Sequence, residues 1–158
     1  MPTSKSTTQS AAERKAADAA VAKLVAKFSP GQEALVAAMR KWVRKRLPTA
    51  FEVVYEYKSW FVFSYSPSER GYEGVLAIRG DANGVKLYFQ QGKGLPDPEK
   101  LLRGAAQTRW IGVESASTLA HPAVGKLADE AIARNKVPFA SPAIVGRGPI
   151  VVRPPGAK

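Results

Sequence analysis

The chain has no cysteine and only one histidine, His121, among its 158 residues. A chain without cysteine has no disulfide, no thiolate nucleophile and no thiolate ligand for zinc or an iron–sulfur cluster. A single imidazole also excludes a histidine cluster around a transition metal. No Gly-x-Ser-x-Gly sequence is present to supply a serine nucleophile. The sequence therefore predicts no catalytic residues, no metal site and no cofactor, and enzymatic activity is not indicated.

Long apolar segments are also lacking. The pure apolar runs are short, such as residues 60–63 and 75–78, whereas a membrane helix needs about 18 consecutive apolar residues. Residues 1–10 are rich in serine, threonine and lysine and contain no apolar core of a signal peptide. We therefore expect a cytoplasmic protein that does not insert into membranes.

Acidic residues are few: 13 Asp and Glu stand against 24 Lys and Arg, for a formal net charge of +11. Both ends of the chain are basic. Residues 1–27 hold five basic and two acidic residues, and residues 137–158 hold three basic residues and no acid. A positive excess of this kind is typical of proteins that contact nucleic-acid phosphates.

A helix is predicted from Ser29 to Pro48. Ser29 and Gln32 have the spacing of a capping box, and Pro48 ends the helix. The apolar positions share one face, and a basic face lies opposite: Arg40, Lys41, Arg44 and Lys45. Arg46 falls within the apolar stripe, so we predict that it is partly buried and paired with Glu52 or Glu114.

The remaining pattern predicts an α+β fold. Segments rich in β-branched and aromatic residues predict strands at 51–57, 59–66, 74–79, 85–90 and 108–114. A short helix is expected from Asp97 to Gly104, and a final helix begins at His121-Pro122. The short connections imply a mostly antiparallel, twisted sheet of about five strands, with helices packed on one face.

This pattern divides the chain into three parts. Residues 1–27 form an alanine- and lysine-rich arm that is disordered or loosely helical and dispensable for folding. Residues 28–136 form the domain, and residues 137–158 form a proline-rich extension. Within the extension, the prolines on either side of the β-branched run 150–152 argue against a central strand, and its apolar content argues against a free tail, so we predict an edge strand. That strand pairs with its own sheet or with a neighbouring chain, and the second arrangement would give a homodimer.

Residues 30–135 resemble a YdhG-like domain, a family of small bacterial proteins of unknown function. The resemblance consists of a helix that ends at Leu47-Pro48, Glu52 and Tyr55 shortly after it, a hairpin region, the segment 95–104, the sequence Arg109-Trp110-Ile111 and a terminal helix. The family often has a Gly-x-Gly-Lys turn where this chain has Gly104-Ala105-Ala106-Gln107. One branch of the family is described as a frataxin-like iron chaperone. The resemblance therefore implies iron binding as one alternative function for this chain.

Two groups of residues are candidate ligand contacts. Glu52 and Glu56 project to one side of their predicted strand, while Tyr55 and Tyr57 project to the other, with Trp60 close behind. Such a cluster suits a pocket with an aromatic wall and a carboxylate, or simply a half-buried strand. Lys93, in a glycine-rich loop, and Arg109 could together bind an anion.

These observations favour a non-enzymatic binding or accessory module with a polar–aromatic pocket, for an unknown small ligand or protein partner. The alternative is a nucleic-acid-associated protein that uses the basic face and both ends of the chain. An iron-binding chaperone is the second alternative, although Glu52 and Glu56 are interleaved with aromatic residues and do not form an acidic ridge. An enzyme acting on a small anion through Lys93 and Arg109 ranks last.

Overall fold

The computed structural model describes residues 9–142 and 146–156. Four helices, six strands and a single 3-10 turn at Gly71–Glu73 make up this part of the chain. The helices are α1 (Ala11–Phe28), α2 (Glu33–Arg46), α3 (Ala116–Ala120) and α4 (Pro122–Arg134). The strands are β1 (Phe51–Glu56), β2 (Phe61–Ser66), β3 (Leu76–Asp81), β4 (Gly84–Phe89), β5 (Arg109–Val113) and β6 (Ile150–Val152).

One sheet contains all six strands in the order β5-β4-β3-β2-β1-β6. Strands β1 to β5 are antiparallel to their neighbours, and β6 is parallel to β1. The predicted α+β class and mostly antiparallel sheet are confirmed. The sheet has one strand more than expected because the C-terminal extension supplies β6.

The two faces of the sheet differ in what covers them. The side chains on one face pack with the helices in one hydrophobic core, which includes Phe61, Phe63, Leu76, Ile78, Leu87 and Ile111. Because side chains alternate along a strand, the residues between these positions lie on the opposite face, which we call the outer sheet face.

Helix α1 corrects the predicted domain boundary. The arm was expected to be loose, yet α1 begins at a complete capping box between Ser10 and Glu13. Val21, Leu24, Val25 and Phe28 are buried in the core. Ala17 is buried with them, so α1 belongs to the folded domain. Residues 1–8 of the predicted arm lie outside the described residues.

The start of α2 is also corrected. Because α1 extends to Phe28, Ser29 caps the end of α1, and its hydroxyl donates to the carbonyl of Asp81 at 2.9 Å. The chain then turns at Gly31, whose φ of +87° suits glycine, and α2 begins at Glu33 without a side-chain cap. The predicted capping box was therefore wrong, although the helix itself and its end before Pro48 are confirmed.

The segment after Leu95 is a turn and not the predicted short helix. The carboxylate of Asp97 accepts hydrogen bonds from the amides of Leu101 and Leu102, both at 2.9 Å. Lys100 has a left-handed backbone with a φ of 55°, which a helix cannot contain. The final helix, α4, begins at Pro122 with His121 as its N-cap, as predicted, and the short helix α3 was not predicted.

The C-terminal strand pairs with β1 of its own chain. Val151 lies opposite Val53, and the side-chain amide of Gln9 exchanges two hydrogen bonds of 2.8 Å with the backbone of Ile150. The predicted edge strand is confirmed, and since it is used within the chain, the sequence-based reason for a dimer through it no longer holds. Residues 143–145 and 157–158 of the extension lie outside the described residues. Along the described ranges, no helix is long and apolar enough to cross a membrane.

The docking of α1 predicts that truncating its buried side chains destabilises the whole domain. Leu24 is 7% exposed. We expect Leu24→Ala to lower the free energy of unfolding by about 2–5 kcal/mol, because it removes buried apolar contacts and leaves a cavity. Urea unfolding followed by circular dichroism measures this change. The neighbouring Lys23 is exposed, so Lys23→Ala is the control and should change stability by about 0.5 kcal/mol or less. Equal effects of the two substitutions would show that α1 does not dock in solution.

Candidate functional site

Glu52 lies on the helix side of β1, and its side chain is 0% exposed. Two arginines of α2 reach it. Arg40 donates from Nε to Oε2 at 2.9 Å and from Nη2 to Oε1 at 2.7 Å, and Arg44 donates from Nη2 to Oε1 at 2.6 Å. The hydroxyl of Tyr65, opposite Glu52 on β2, donates to Oε2. The carboxylate is thus enclosed by charged and polar donors from α2 and β2.

The environment fixes the charges of this cluster. Burial alone would raise the pKa of Glu52, but the hydrogen bond from Arg40 and the positive charges of Arg44 and Arg40 outweigh it and lower the pKa to about 2. Burial and the charge of Glu52 raise the pKa of the Tyr65 hydroxyl well above its usual range. Glu52 is therefore ionised and Tyr65 is a neutral donor at physiological pH.

This cluster does not face the aromatic residues that were predicted to share a pocket with Glu52. The alternation of Glu52 and Tyr55 on β1 is as expected, but helices cover the Glu52 side and leave the Tyr55 side open. Glu56, on the same side as Glu52, pairs with Lys27 of α1 at 2.6 Å. The predicted combination of a carboxylate and an aromatic wall in one cavity is therefore corrected: the two lie on opposite faces of the sheet.

The aromatic residues form a stacked series on the outer sheet face. The ring centroids of Tyr55 and Tyr57 are 6.2 Å apart, and those of Tyr57 and Trp60 are 5.0 Å apart, with interplanar angles of 18° and 23°. All three side chains are half-buried. The three predicted residues are therefore brought together, at the hairpin end of β1 and β2.

Four residues that the sequence analysis did not select continue this series across the sheet. The guanidinium of Arg79 lies 4.9 Å from the ring centroid of Trp60 and 5.9 Å from that of Tyr88. The ring of Tyr88 lies 6.5 Å from that of Trp110, over which Lys86 places its ammonium at 4.3 Å. The signal that could have identified them is their alternation with buried apolar residues in β3, β4 and β5.

We call these seven side chains the aromatic–cationic face: Tyr55, Tyr57, Trp60, Arg79, Lys86, Tyr88 and Trp110. Each is half-buried and keeps contact with solvent. The connection from β2 to β3 covers one end of the outer sheet face, where the hydroxyl of Ser64 donates to the carbonyl of Gly71 at 2.7 Å. The rest combines partly exposed aromatic rings with two positive charges, which suits contacts with planar rings and with anions.

Lys93 and Arg109 lie at the β5 edge of the sheet, away from Glu52. The amide of Lys93 donates to the carbonyl of Gln107 at 3.0 Å, and Gly92 packs directly against the side chain of Arg109. The Arg109 guanidinium donates to the carbonyl of Ala106. The loop and Arg109 are thus neighbours, as the anion hypothesis requires, but this arginine already has a backbone partner.

The basic face of α2 is divided between two roles. Arg40 and Arg44 are engaged with Glu52, whereas Lys41 and Lys45 are exposed to solvent. The prediction of a continuous solvated face is corrected, because α1 and the sheet cover the side of α2 that bears the arginines. Arg46 is partly buried, as predicted, at 25% exposure, but its partner is Asp129 at 3.3 Å instead of Glu52 or Glu114.

The remaining candidates have local roles. The Nδ1 atom of His121 accepts the amide hydrogen of Ala123 at 3.1 Å, and Nε2 lies 3.2 Å from Glu99. This histidine caps α4 and is placed in no cleft with a nucleophile. Throughout residues 9–142 and 146–156, no three or more histidine, cysteine, aspartate or glutamate side chains are grouped as metal ligands. Comparison of the chain with protein-family models, curated proteins and solved structures gives no match.

Removing the charge of Glu52 should strongly destabilise the fold. Glu52→Gln leaves Arg40 and Arg44 without their carboxylate in a buried site, and we expect a loss of about 3–5 kcal/mol in the free energy of unfolding. Chemical denaturation measures the loss. Glu56→Gln is the matched control, since it removes an exposed ion pair with Lys27 and should cost about 1 kcal/mol or less. A Glu52→Gln protein as stable as the native protein would contradict the structural role of the cluster.

The same cluster predicts a pH dependence of stability. The pKa of Glu52 is about 2 in the folded protein, against an ordinary value of 4.5. The unfolded chain therefore binds more protons between these values, so the contribution of Glu52 is complete above about pH 4.5 and declines as the pH falls towards 2. Urea unfolding is measured from pH 7 to pH 3 for the native protein and for Glu52→Gln. The difference between their free energies of unfolding should become smaller at low pH. A difference that stays constant would be the contrary result.

Proposed function

We propose that this protein is a non-enzymatic binding module that holds single-stranded nucleic acid on its aromatic–cationic face. The observation that supports this function is the row of rings on one face: the stacked Tyr55, Tyr57 and Trp60, and the tilted pair of Tyr88 and Trp110. Arg79 lies between the two groups, and Lys86 lies over Trp110. Sheets that bind single-stranded RNA use aromatic residues on an open face as platforms for bases. This is a binding function that needs no catalytic group.

The size of the face fits a short single strand. Neighbouring strands in a sheet lie about 4.8 Å apart, so the distance from β1 to β5 is about 19 Å. Platforms of this kind stack two or three bases. The tyrosines and Trp60 at one end and Trp110 at the other, with Tyr88 between them, are arranged to receive bases along that distance.

The charges of the face fit the backbone of the strand. Arg79 and Lys86 are direct neighbours across β3 and β4, in the row that also contains Tyr55 and Val62. Cations beside stacking rings attract phosphates and also contribute to stacking through cation–π contacts. The net charge of +11 adds long-range attraction for any polyanion.

This proposal joins two sequence-based hypotheses and relocates both. From the first hypothesis we retain a binding module with an aromatic site, but Glu52 is not a ligand contact. From the second we retain nucleic acid as the ligand, but the α2 basic face is not the main contact. The YdhG-like resemblance remains a separate proposal, supported by the order of elements from α2 to α4. No grouping of exposed carboxylates in the described part of the chain favours an iron chaperone.

The proposal can be tested by fluorescence anisotropy with a labelled oligo(dT). A length of about 12 nucleotides is enough for one site of this size. We expect Trp60→Ala and Trp110→Ala each to weaken binding about 5- to 100-fold, because each removes one stacking platform worth about 1–3 kcal/mol. Arg79→Gln should reduce the dependence of affinity on salt, since one phosphate contact is lost. Tryptophan fluorescence should be quenched on binding, and the quenching should persist in Trp42→Phe because Trp42 lies on α2.

The chain offers matched controls for both kinds of contact. Trp42 lies on α2, on the helix side of the sheet, so Trp42→Phe should bind the oligonucleotide normally. Lys126→Gln removes one positive charge from α4 and should not change the affinity beyond the general effect of net charge. If both tryptophan variants fold and bind like the native protein, the aromatic–cationic face is not the site. If Lys41→Gln and Lys45→Gln weaken binding instead, the strand binds to α2.

A further inference from the structure

A second surface, on the helix side of the sheet, has an excess of positive charge. A cleft of about 390 Å³ lies between α1 and α2, and five cations line it together with Ala37 and one carboxylate, Asp18. The cations are Arg40, Lys41, Arg44 and Lys45 of α2 and Arg147 of the C-terminal segment. The volume is that of a site for a small molecule and exceeds that of a single ion.

The carboxylates near this cleft do not satisfy the arginines around it. Glu52 and Asp18 take up the hydrogen bonds of Arg40, and Glu52 takes one from Arg44. The Nε atom of Arg44, which lines the cleft, is buried and has no hydrogen-bond partner among the described residues. The same holds for Nη1 of Arg14, which lies outside the lining and donates from Nη2 to the carbonyl of Gly148 at 3.1 Å. Buried donors are rarely left without an acceptor, so the arginines beside the cleft are short of acceptors and of negative charge.

Electrostatic repulsion within the cluster supports the same conclusion. Burial lowers the pKa of Arg14, and the positive charges of Arg147 and Arg44 lower it further; the charges of Asp18 and Glu52 act in the opposite direction and do not cancel these effects. Like charges brought together in this way raise the free energy of the folded state unless a counter-charge is bound. An anion in the cleft would relieve the repulsion between residues from α1, α2 and the C-terminal segment at once.

We propose that this cleft binds a phosphate group. Guanidinium groups present their N–H donors as a planar fork that matches the oxygens of phosphate, and lysines add point charges at the rim. A doubly charged anion gains more from Lys41, Lys45 and Arg147 than a carboxylate does. The small side chain of Ala37 leaves room on the α2 side, and the volume accommodates a phosphate ester as well as free phosphate.

This site is independent of the proposed function. The cleft lies on the side of the sheet that the helices cover, whereas the aromatic–cationic face lies on the opposite side. Neither Lys45 nor Arg147 belongs to that face, so loss of phosphate binding and loss of oligonucleotide binding are separate results. Failure of either proposal leaves the other standing.

The site can be tested by isothermal titration calorimetry and by thermal shift. The ligands are inorganic phosphate and a nucleoside monophosphate, and sodium chloride at matched ionic strength is the reference. We expect saturable binding that raises the melting temperature, because the ligand binds the folded state alone. Arg147→Gln and Lys45→Gln, both at exposed positions, should each weaken it about 3- to 10-fold. Lys126→Gln removes the same charge from α4 and should have no effect.

The two ligands distinguish the source of the phosphate group. Tighter binding of the monophosphate would show that the cleft takes a phosphate ester, and equal binding would show that it takes free phosphate; both results support the site. The proposal is overturned if chloride at the same ionic strength stabilises the protein as much as phosphate does. It is also overturned if Arg147→Gln and Lys45→Gln proteins, folded by circular dichroism, bind phosphate like Lys126→Gln.

Discussion

A single buried carboxylate determines how the helices lie on the sheet. Removing Glu52 from water costs several kcal/mol, and the hydrogen bonds from Arg40, Arg44 and Tyr65 offset this cost. Arg40 and Arg44 are one turn apart on α2, so both reach Glu52 only at one rotation and one position of that helix. Arg40 also contacts Asp18 at 3.0 Å, which joins α1 to the same cluster. The backbone amide of Glu52 donates to Pro149 at 2.9 Å, beside the point where β6 joins the sheet.

The chemistry of the two candidate surfaces follows from this constraint. Because side chains alternate along a strand, placing Glu52 under the helices places Tyr55 on the outer sheet face. Cross-strand register then aligns Arg79 and Lys86 in the row of Tyr55, and it aligns Tyr88 with Trp110. On the helix side, Lys41, Lys45 and Arg147 join Arg40 and Arg44 around one cleft, so positive charge exceeds that of Glu52 and Asp18 there. One buried charge thus accounts both for the open aromatic surface and for the positive cleft.

Patterns within one element were predictable, and contacts between distant parts of the chain were not. Alternation located β1 to β5 to within about two residues, and the 3.6-residue period located α2 and α4. Helix α1 was misjudged because its apolar stripe is thin and its partner, β6, comes from the other end of the chain. In the site, alternation separated Glu52 from Tyr55 and Tyr57. The side of the sheet that the helices cover depends on contacts between distant parts of the chain. The residues of β3 to β5 that join the rings depend on the register between strands, which alternation within one strand does not give.

The stability of the sheet does not require so many rings on its outer face. Cross-strand pairs contribute about 0.2–1 kcal/mol each, and polar or β-branched pairs serve this purpose as well as aromatic ones. The apolar core on the helix side already covers one whole face. Leaving Trp60 and Trp110 half in water, by contrast, forgoes the larger gain of burying them completely. Arg79, between Trp60 and Tyr88, holds the rings at fixed separations, so a planar ligand would bind to a surface that is already ordered. Such preorganisation improves affinity for a ligand and adds little to folding, which is why we assign this face to binding.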